Sequence, residues 1–205
     1  MDLPLRMTIL ARSRPAAFVE RLAPSPCCAA IVSADQLNVA LASRAPIVFI
    51  LRGNGLELAP IVERVHDAGK LVAAHLDLVD GLRADQRGVA WLARSGVDAI
   101  ITSHGQLMPT IRDEGAVAIQ RLLLSRRSHL DTAVAAIARS APDIVEVLPG
   151  VILPEVARLM PRFDVPLLAG GFVRTIDAAR AVLAAGAVGV TTSSPEVWEW
   201  QGVDA

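Results

Sequence analysis

Two segments near the C-terminus carry the clearest chemical signal in this chain: LLAGGFVRT at 167–175 and AGAVGVTTSS at 185–194. Each is a short apolar run that ends in small or hydroxyl residues where a helix should begin. Small residues let backbone N–H groups approach a ligand closely. Helix N-termini and turn nests favour anions. Gly170 and Gly171, with Thr192, Ser193 and Ser194, are therefore candidates for a phosphate-holding cup, with ordinary tight turns as the plainer reading.

Other candidates are polar residues that interrupt or end apolar runs. His75 and Asp77 close the run KLVAAHLD, two residues apart and so on one face of a strand. Ala73 shares that face, and Val72, Ala74 and Leu76 take the other. An apolar face under helices would turn His75 and Asp77 inward; the pair could equally be a structural His–Asp hydrogen bond at the rim. Two such residues are too few to argue for a metal. Gln120 and Arg121 end a later run, and only one of them can point inward. An inward Arg121 suits a phosphate, and an outward one is a surface arginine. Glu146 lies inside IVEVL, where a charge is costly unless paired. It should face inward and bond a ligand hydroxyl or Arg121, or form a purely structural ion pair.

These residues need a frame. Apolar runs at 27–33, 46–51, 70–76, 98–102, 116–121, 143–148, 165–169 and 187–192 make eight strand candidates. Between them lie helical stripes such as Leu58, Ile61, Val62 and Val65, or Leu130, Ala133, Val134 and Ile137. Gly69, Gly96, Gly115 and Gly186 fall at helix ends. Thr175, and Ser128 followed by Asp131, read as helix N-caps. Alternation of strands and helices implies a parallel sheet. An open doubly wound sheet would carry a Gly-rich turn after its first strand, but the chain has Ser33-Ala34-Asp35-Gln36 there. The expected fold is α/β, a compact single-domain (βα)8 TIM barrel at 27–200 after an irregular extension at 1–26. In such a barrel the last two strand-end segments are the usual phosphate loops.

Composition narrows the function. The chain has 205 residues, 53% of them hydrophobic and a net charge of −1. The charge argues against non-specific polyanion binding. Aromatics are 3% with no Tyr, which argues against a base-stacking platform. No apolar run is long enough to span a bilayer, the N-terminus lacks a signal-peptide pattern, and a cytoplasmic location is expected. Cys27 and Cys28 are adjacent, point to opposite faces and read as small buried hydrophobes. Arg126-Arg127 reads as a solvated pair. Trp198 and Trp200 are expected to cap the barrel bottom or a subunit contact, and His66, His104 and His129 have no evident partners.

HLDLVDGL at 75–82, AIQRL at 118–122, PDIVEVLPG at 142–150, AGGFVRT at 169–175 and AGAVGVTTS at 185–193 together resemble the glycerol-3-phosphate-responsive antiterminator family, the glycerol uptake operon regulators. The resemblance runs in order from about residue 28 to Trp198. It implies a TIM-barrel sensor rather than an enzyme, one that binds glycerol 3-phosphate or a similar phosphate ester and acts on leader mRNA. It implies a phosphate on Gly170, Gly171, Thr192 and Ser193, with His75, Asp77, Arg121 and Glu146 holding the glycerol hydroxyls. It implies no cofactor and leaves a homo-oligomer open. Ser33, His104 and Arg126 depart from the family pattern after strands 1, 4 and 5. Two alternatives remain at this stage: an isomerase or lyase acting on a phosphorylated small molecule, with His75 or Glu146 as base, and a barrel that has lost the regulatory role.

Overall fold

The computed structural model describes residues 14–126, 130–157 and 163–202. Eight parallel strands close into a barrel in sequence order: β1 (Cys27–Ile31), β2 (Ile47–Ile50), β3 (Leu71–His75), β4 (Ala99–Thr102), β5 (Val117–Leu123), β6 (Ile144–Leu148), β7 (Leu167–Gly170) and β8 (Gly189–Thr192). Each coincides with one of the apolar runs. The strands read as nearly unbroken apolar sequence because helices cover one face and the barrel interior fills the other. Cys28, Phe49, Ala73, Ile101, Ile119, Ile144 and Leu168 fill the interior, and their strand neighbours pack under the helices. Cys27 and Cys28 fall on opposite sides, both free and buried, and burial pushes the Cys27 thiol up to about 12.

The outer layer contains α2 (Ala34–Ala42), α3 (Leu58–Asp67), α4 (Gln86–Arg94), α5 (Met108–Asp113), α6 (Leu130–Ser140), α7 (Leu153–Val156), α8 (Ile176–Ala184) and α9 (Pro195–Trp198). Gly69, Gly96, Gly115 and Gly186 take positive φ at the helix ends, and Thr175 Oγ1 caps α8 by accepting from the Ala178 N–H at 3.2 Å. Ser128 lies outside the described residues, as do Arg127 and His129. Two carboxylates pin the lower rim in the same way. Asp98, just before β4, accepts from the Val72 N–H, and Asp143, just before β6, accepts from the Ala118 N–H, both at 2.8 Å. Asp98 also holds His66 Nε2 at 2.9 Å, so His66 does have a partner.

The structure corrects two further expectations. Part of the segment expected to be irregular is helix α1 (Arg14–Glu20), whose Phe18, followed by Leu22, closes the N-terminal end of the barrel interior. Leu22 sits where a Cβ on Gly189 would come within 2.9 Å of it, so the bare glycine makes room for the plug. Trp198 does not cap the bottom. It is wholly buried in the outer layer, and its indole N–H donates to Thr192 O at 2.7 Å near the opposite end of β8. Trp200 lies on the bottom side, lining a cavity with Leu22, Pro26 and Gly202.

A plug that closes the barrel interior should matter for stability more than for the mouth. Phe18→Ala is expected to lower unfolding free energy by about 3 kcal/mol in urea titration while leaving the opposite end of the barrel intact; a change under 1 kcal/mol, roughly that of a surface substitution, would mean the interior closes without α1.

Candidate functional site

The inward-facing residues at the C-terminal ends of β3, β5, β6 and β8 form a polar floor above the apolar interior. Alternation places Ile119 and Arg121 on the inside of β5 and sends Gln120 outward, where it meets Ser140 of α6. The same rule turns Ile144 and Glu146 inward on β6. Parallel register sets Arg121 beside Glu146, and Arg121 Nε donates to Glu146 Oε2 at 2.9 Å. The other carboxylate oxygen accepts from Thr191 Oγ1 of β8 at 2.7 Å. That bond crosses over β7, whose inward position is Gly170. A Cβ on Gly170 would come within 2.9 Å of Glu146 Oε1 and would also collide with Thr191 Oγ1. Gly170 is thus a gap through which two strands reach each other.

Glu146 is almost fully buried, and both its oxygens are bonded within the chain. The Arg121 side chain is 17% exposed, and neither of its Nη groups has a hydrogen bond among the described residues. His75 faces inward on β3, 1% exposed, and neither ring nitrogen has a hydrogen-bond partner among the described residues. Asp77 does not bond it. Its carboxylate accepts from Thr102 Oγ1 and from the Ser103 N–H, the latter at 2.8 Å, and so turns toward the loop after β4.

At the loops after β7 and β8 the hydroxyls tie the backbone together. Thr192 points outward. Its Oγ1 donates to Val173 O and accepts from the Ser194 N–H, and Ser194 Oγ donates to Arg174 O at 3.0 Å. The Thr192 hydroxyl is therefore committed to joining the two loops. Gly171 at φ +77° and Phe172 at φ +60° make the left-handed turn after β7, and Ser193 is exposed. Ser33, His104 and Arg126 are exposed beyond the ends of β1, β4 and β5.

Residues 27–198 match the glycerol-3-phosphate responsive antiterminator family. The chain belongs to this family. Among solved structures similar to it is a glycerol uptake operon antiterminator regulatory protein from Listeria monocytogenes, 30% identical with a TM-score of 0.80 over 85% of this chain and 95% of that one. A glycerol uptake operon antiterminator-related protein from Thermotoga maritima is 28% identical with a TM-score of 0.76 over 85% and 98%. YgcP, an uncharacterised protein of Escherichia coli (strain K12), is 29% identical over 86% of this chain and 93% of its own length. A deoxyribose phosphate aldolase from Aeropyrum pernix, at 17% identity and TM-score 0.68 over 92% and 96%, shares the barrel alone.

In this antiterminator-family chain the structure brings His75, Arg121, Glu146 and Gly170 together on the floor. It sets Asp77 at the rim and Gly171 and Ser193 in the adjoining loops. Sequence reasoning missed Thr191, the inward hydroxyl of β8. Its signal was parity: Val190 is an outward apolar residue, so Thr191, not Thr192, lies on the inner face. It also missed the hold of Thr102 and Ser103 on Asp77, which joins strands far apart in sequence.

Burial and the adjacent Arg121 charge lower the His75 pKa to about 4 from the ordinary 6.5. Burial pushes the Asp77 carboxyl up, but hydrogen bonds from Thr102 and Ser103 outweigh it and hold it below the ordinary value. Both effects favour the fold away from acid. Between about pH 4 and 6.5 the unfolded chain binds a proton at His75 that the native chain does not, so stability rises with pH by up to ~1.4 kcal/mol per unit and levels off above. The Asp77 contribution, present above its unfolded pKa, is lost at lower pH as its folded pKa is crossed. Urea titrations from pH 4.5 to 7.5 should show a slope in the wild type that His75→Asn removes; matching profiles would contradict the assignment. Gly170→Ala is expected to destabilise by about 1–3 kcal/mol, because Glu146 and Thr191 must separate, and a neutral result in the same assay would show that the floor relaxes freely.

Proposed function

We propose that this chain is a ligand-responsive regulator that binds glycerol 3-phosphate, or a closely related polyol phosphate, at the C-terminal mouth of the barrel. The observation that carries this reading is Arg121. Glu146 fixes its Nε edge from below, and neither Nη group has a hydrogen bond among the described residues. A planar fork held at one edge, with its other edge unbonded among the described residues, suits a phosphate oxygen pair. The loops bearing Gly170, Gly171, Thr192 and Ser193 adjoin it, and their N–H groups complete the anion site in this reading. Asp77 and His75 line the far side for hydroxyls. Membership of the antiterminator family supports both the ligand and a regulatory output.

The output we assign is action on leader mRNA within the cytoplasm, with ligand binding shifting the population of the RNA-competent state. This regulatory role is favoured over an isomerase or lyase by two features of the chain. The His75–Asp77 pair that would serve as base and orienting group is not hydrogen-bonded. The single lysine, Lys70, is buried at the bottom of the barrel with its Nζ donating to Ser43 O and Ala45 O at 2.6 Å, far from the mouth.

Calorimetry with glycerol 3-phosphate is expected to give one site per chain, and Arg121→Met should weaken it by about 10–100-fold. Absence of binding at millimolar ligand by folded protein overturns the reading. Retention of leader RNA on filters should change on adding the ligand; retention that is indifferent to ligand removes the RNA step while leaving the sensor.

A further inference from the structure

We propose that the groove between α3 and α4, on the outside of the barrel, is the interface through which two copies of this chain pair about a two-fold axis.

Two large apolar side chains meet water together here. Trp91 of α4 is 44% exposed, and Leu56, just before α3, is 77% exposed. The Trp91 indole N–H donates to Gly55 O at 3.1 Å, which sets the ring against the Gly55–Glu57 turn that carries Leu56. The ring is thus held in one place with its only donor satisfied, and its open face is left for contact. A fixed tryptophan of this kind is a typical anchor of a protein–protein interface. Beside it runs a groove of about 640 Å³, lined by Ala59 of α3 and by Arg87, Ala90 and Arg94 of α4. Helical spacing puts Glu63 on the same side of α3 as Ala59, and Arg87, Trp91 and Arg94 on one side of α4. One wall is therefore acidic, with Glu57 and Glu63, and the other basic, with Arg87 and Arg94; all four are exposed. Among the described residues none of the four forms an ion pair. Arg94 is steadied through Nε alone, which donates to Ala90 O at 3.0 Å.

That pattern selects the occupant. An isologous interface must be complementary to itself, and an acidic wall beside a basic wall meets that demand. Both helices run from the barrel mouth towards its bottom, so they are parallel. A two-fold axis along them lays α3 of one copy against α4 of the other, twice over. Glu63 then meets Arg94 of the second copy, Glu57 meets its Arg87, and the Leu56 turn covers its Trp91. An axis across the helices would set acid on acid and arginine on arginine, so charge fixes the orientation as well as the partner. A polyanion gains at the arginines and loses at the two glutamates, which leaves a second copy as the better match. The pairing leaves both mouths open on the same side of the dimer. It also adjoins them, because the ladder of Gly53–Asn54 with Val79–Asp80 ties the Leu56 turn to the loop that follows Asp77.

Sedimentation equilibrium on the full chain, between about 1 and 100 µM, tests the pairing. The wild type is expected to sediment as a dimer in this range. Glu63→Arg and Arg94→Glu should each weaken the dimer by about tenfold, because each substitution strikes both symmetry copies and turns attraction into repulsion. The chain carrying both reversals should recover to within about threefold of the wild type, since each pair is rebuilt with its signs exchanged. Trp91→Ser should sediment as a monomer throughout. Far-UV circular dichroism should match the wild type in every variant, as all the replaced side chains are exposed. A wild type that is monomeric at every concentration overturns the inference. So does a dimer indifferent to both single reversals, or one that the double reversal leaves as weak as either single. None of these results touches the ligand reading of the mouth, which calorimetry decides separately.

Discussion

The buried carboxylate of Glu146 is the constraint on which the barrel mouth depends. A charge in a barrel interior is tolerated only with its oxygens matched by donors. Here one oxygen takes Arg121 from β5 and the other takes Thr191 from β8. Those partners flank a four-strand arc, β5 to β8, and the arc closes only because β7 presents Gly170 at the crossing point. Register, side-chain parity and one missing Cβ are thus locked together by a single carboxylate. Loss of any partner strands a charge at the floor, which is far costlier than the loss of a surface pair.

Above this floor the molecule separates groups that build the frame from groups left open. The threonine that ends β4 and the one that ends β8 do the same work. Each hydroxyl accepts from the N–H two residues on and donates into a neighbouring segment: Thr102 to Asp77, Thr192 to Val173 O. Asp98 and Asp143 repeat a second device at the opposite rim. Against this saturated frame, the Nη groups of Arg121 and the ring nitrogens of His75 stand out as donors and acceptors with no partner among the described residues. Ser33, His104 and Arg126, where the chain leaves the family pattern, all lie in exposed positions outside the floor. Local substitution there leaves the Glu146 arc untouched.

Much of this was legible in the chain itself. Eight apolar runs, spaced by amphipathic stripes and closed by glycines, determined a parallel barrel, because a strand buried on both faces must be apolar along its whole length. Period-two alternation turned His75 inward, and a charge in the middle of IVEVL had to find a partner. The N-terminal plug was less visible. The prolines around it suggested irregular chain, yet the closure of the barrel bottom by Phe18 and Leu22 outweighs local propensity over a seven-residue helix.

Tertiary structure alone decided the partners. Glycine and hydroxyl residues at 167–175 and 185–194 marked a site by composition, but composition does not say which hydroxyl faces the interior. Strand phase placed Thr191 inside and committed Thr192 to the loop of Val173. The sequence put Asp77 two residues from His75, while the fold brought Thr102 and Ser103 closer to its carboxylate from a strand 25 residues away. The sequence sets which groups are present and how they alternate, since those are properties of one strand. Which donor meets which acceptor is settled between strands, where register and a single absent Cβ decide the distance.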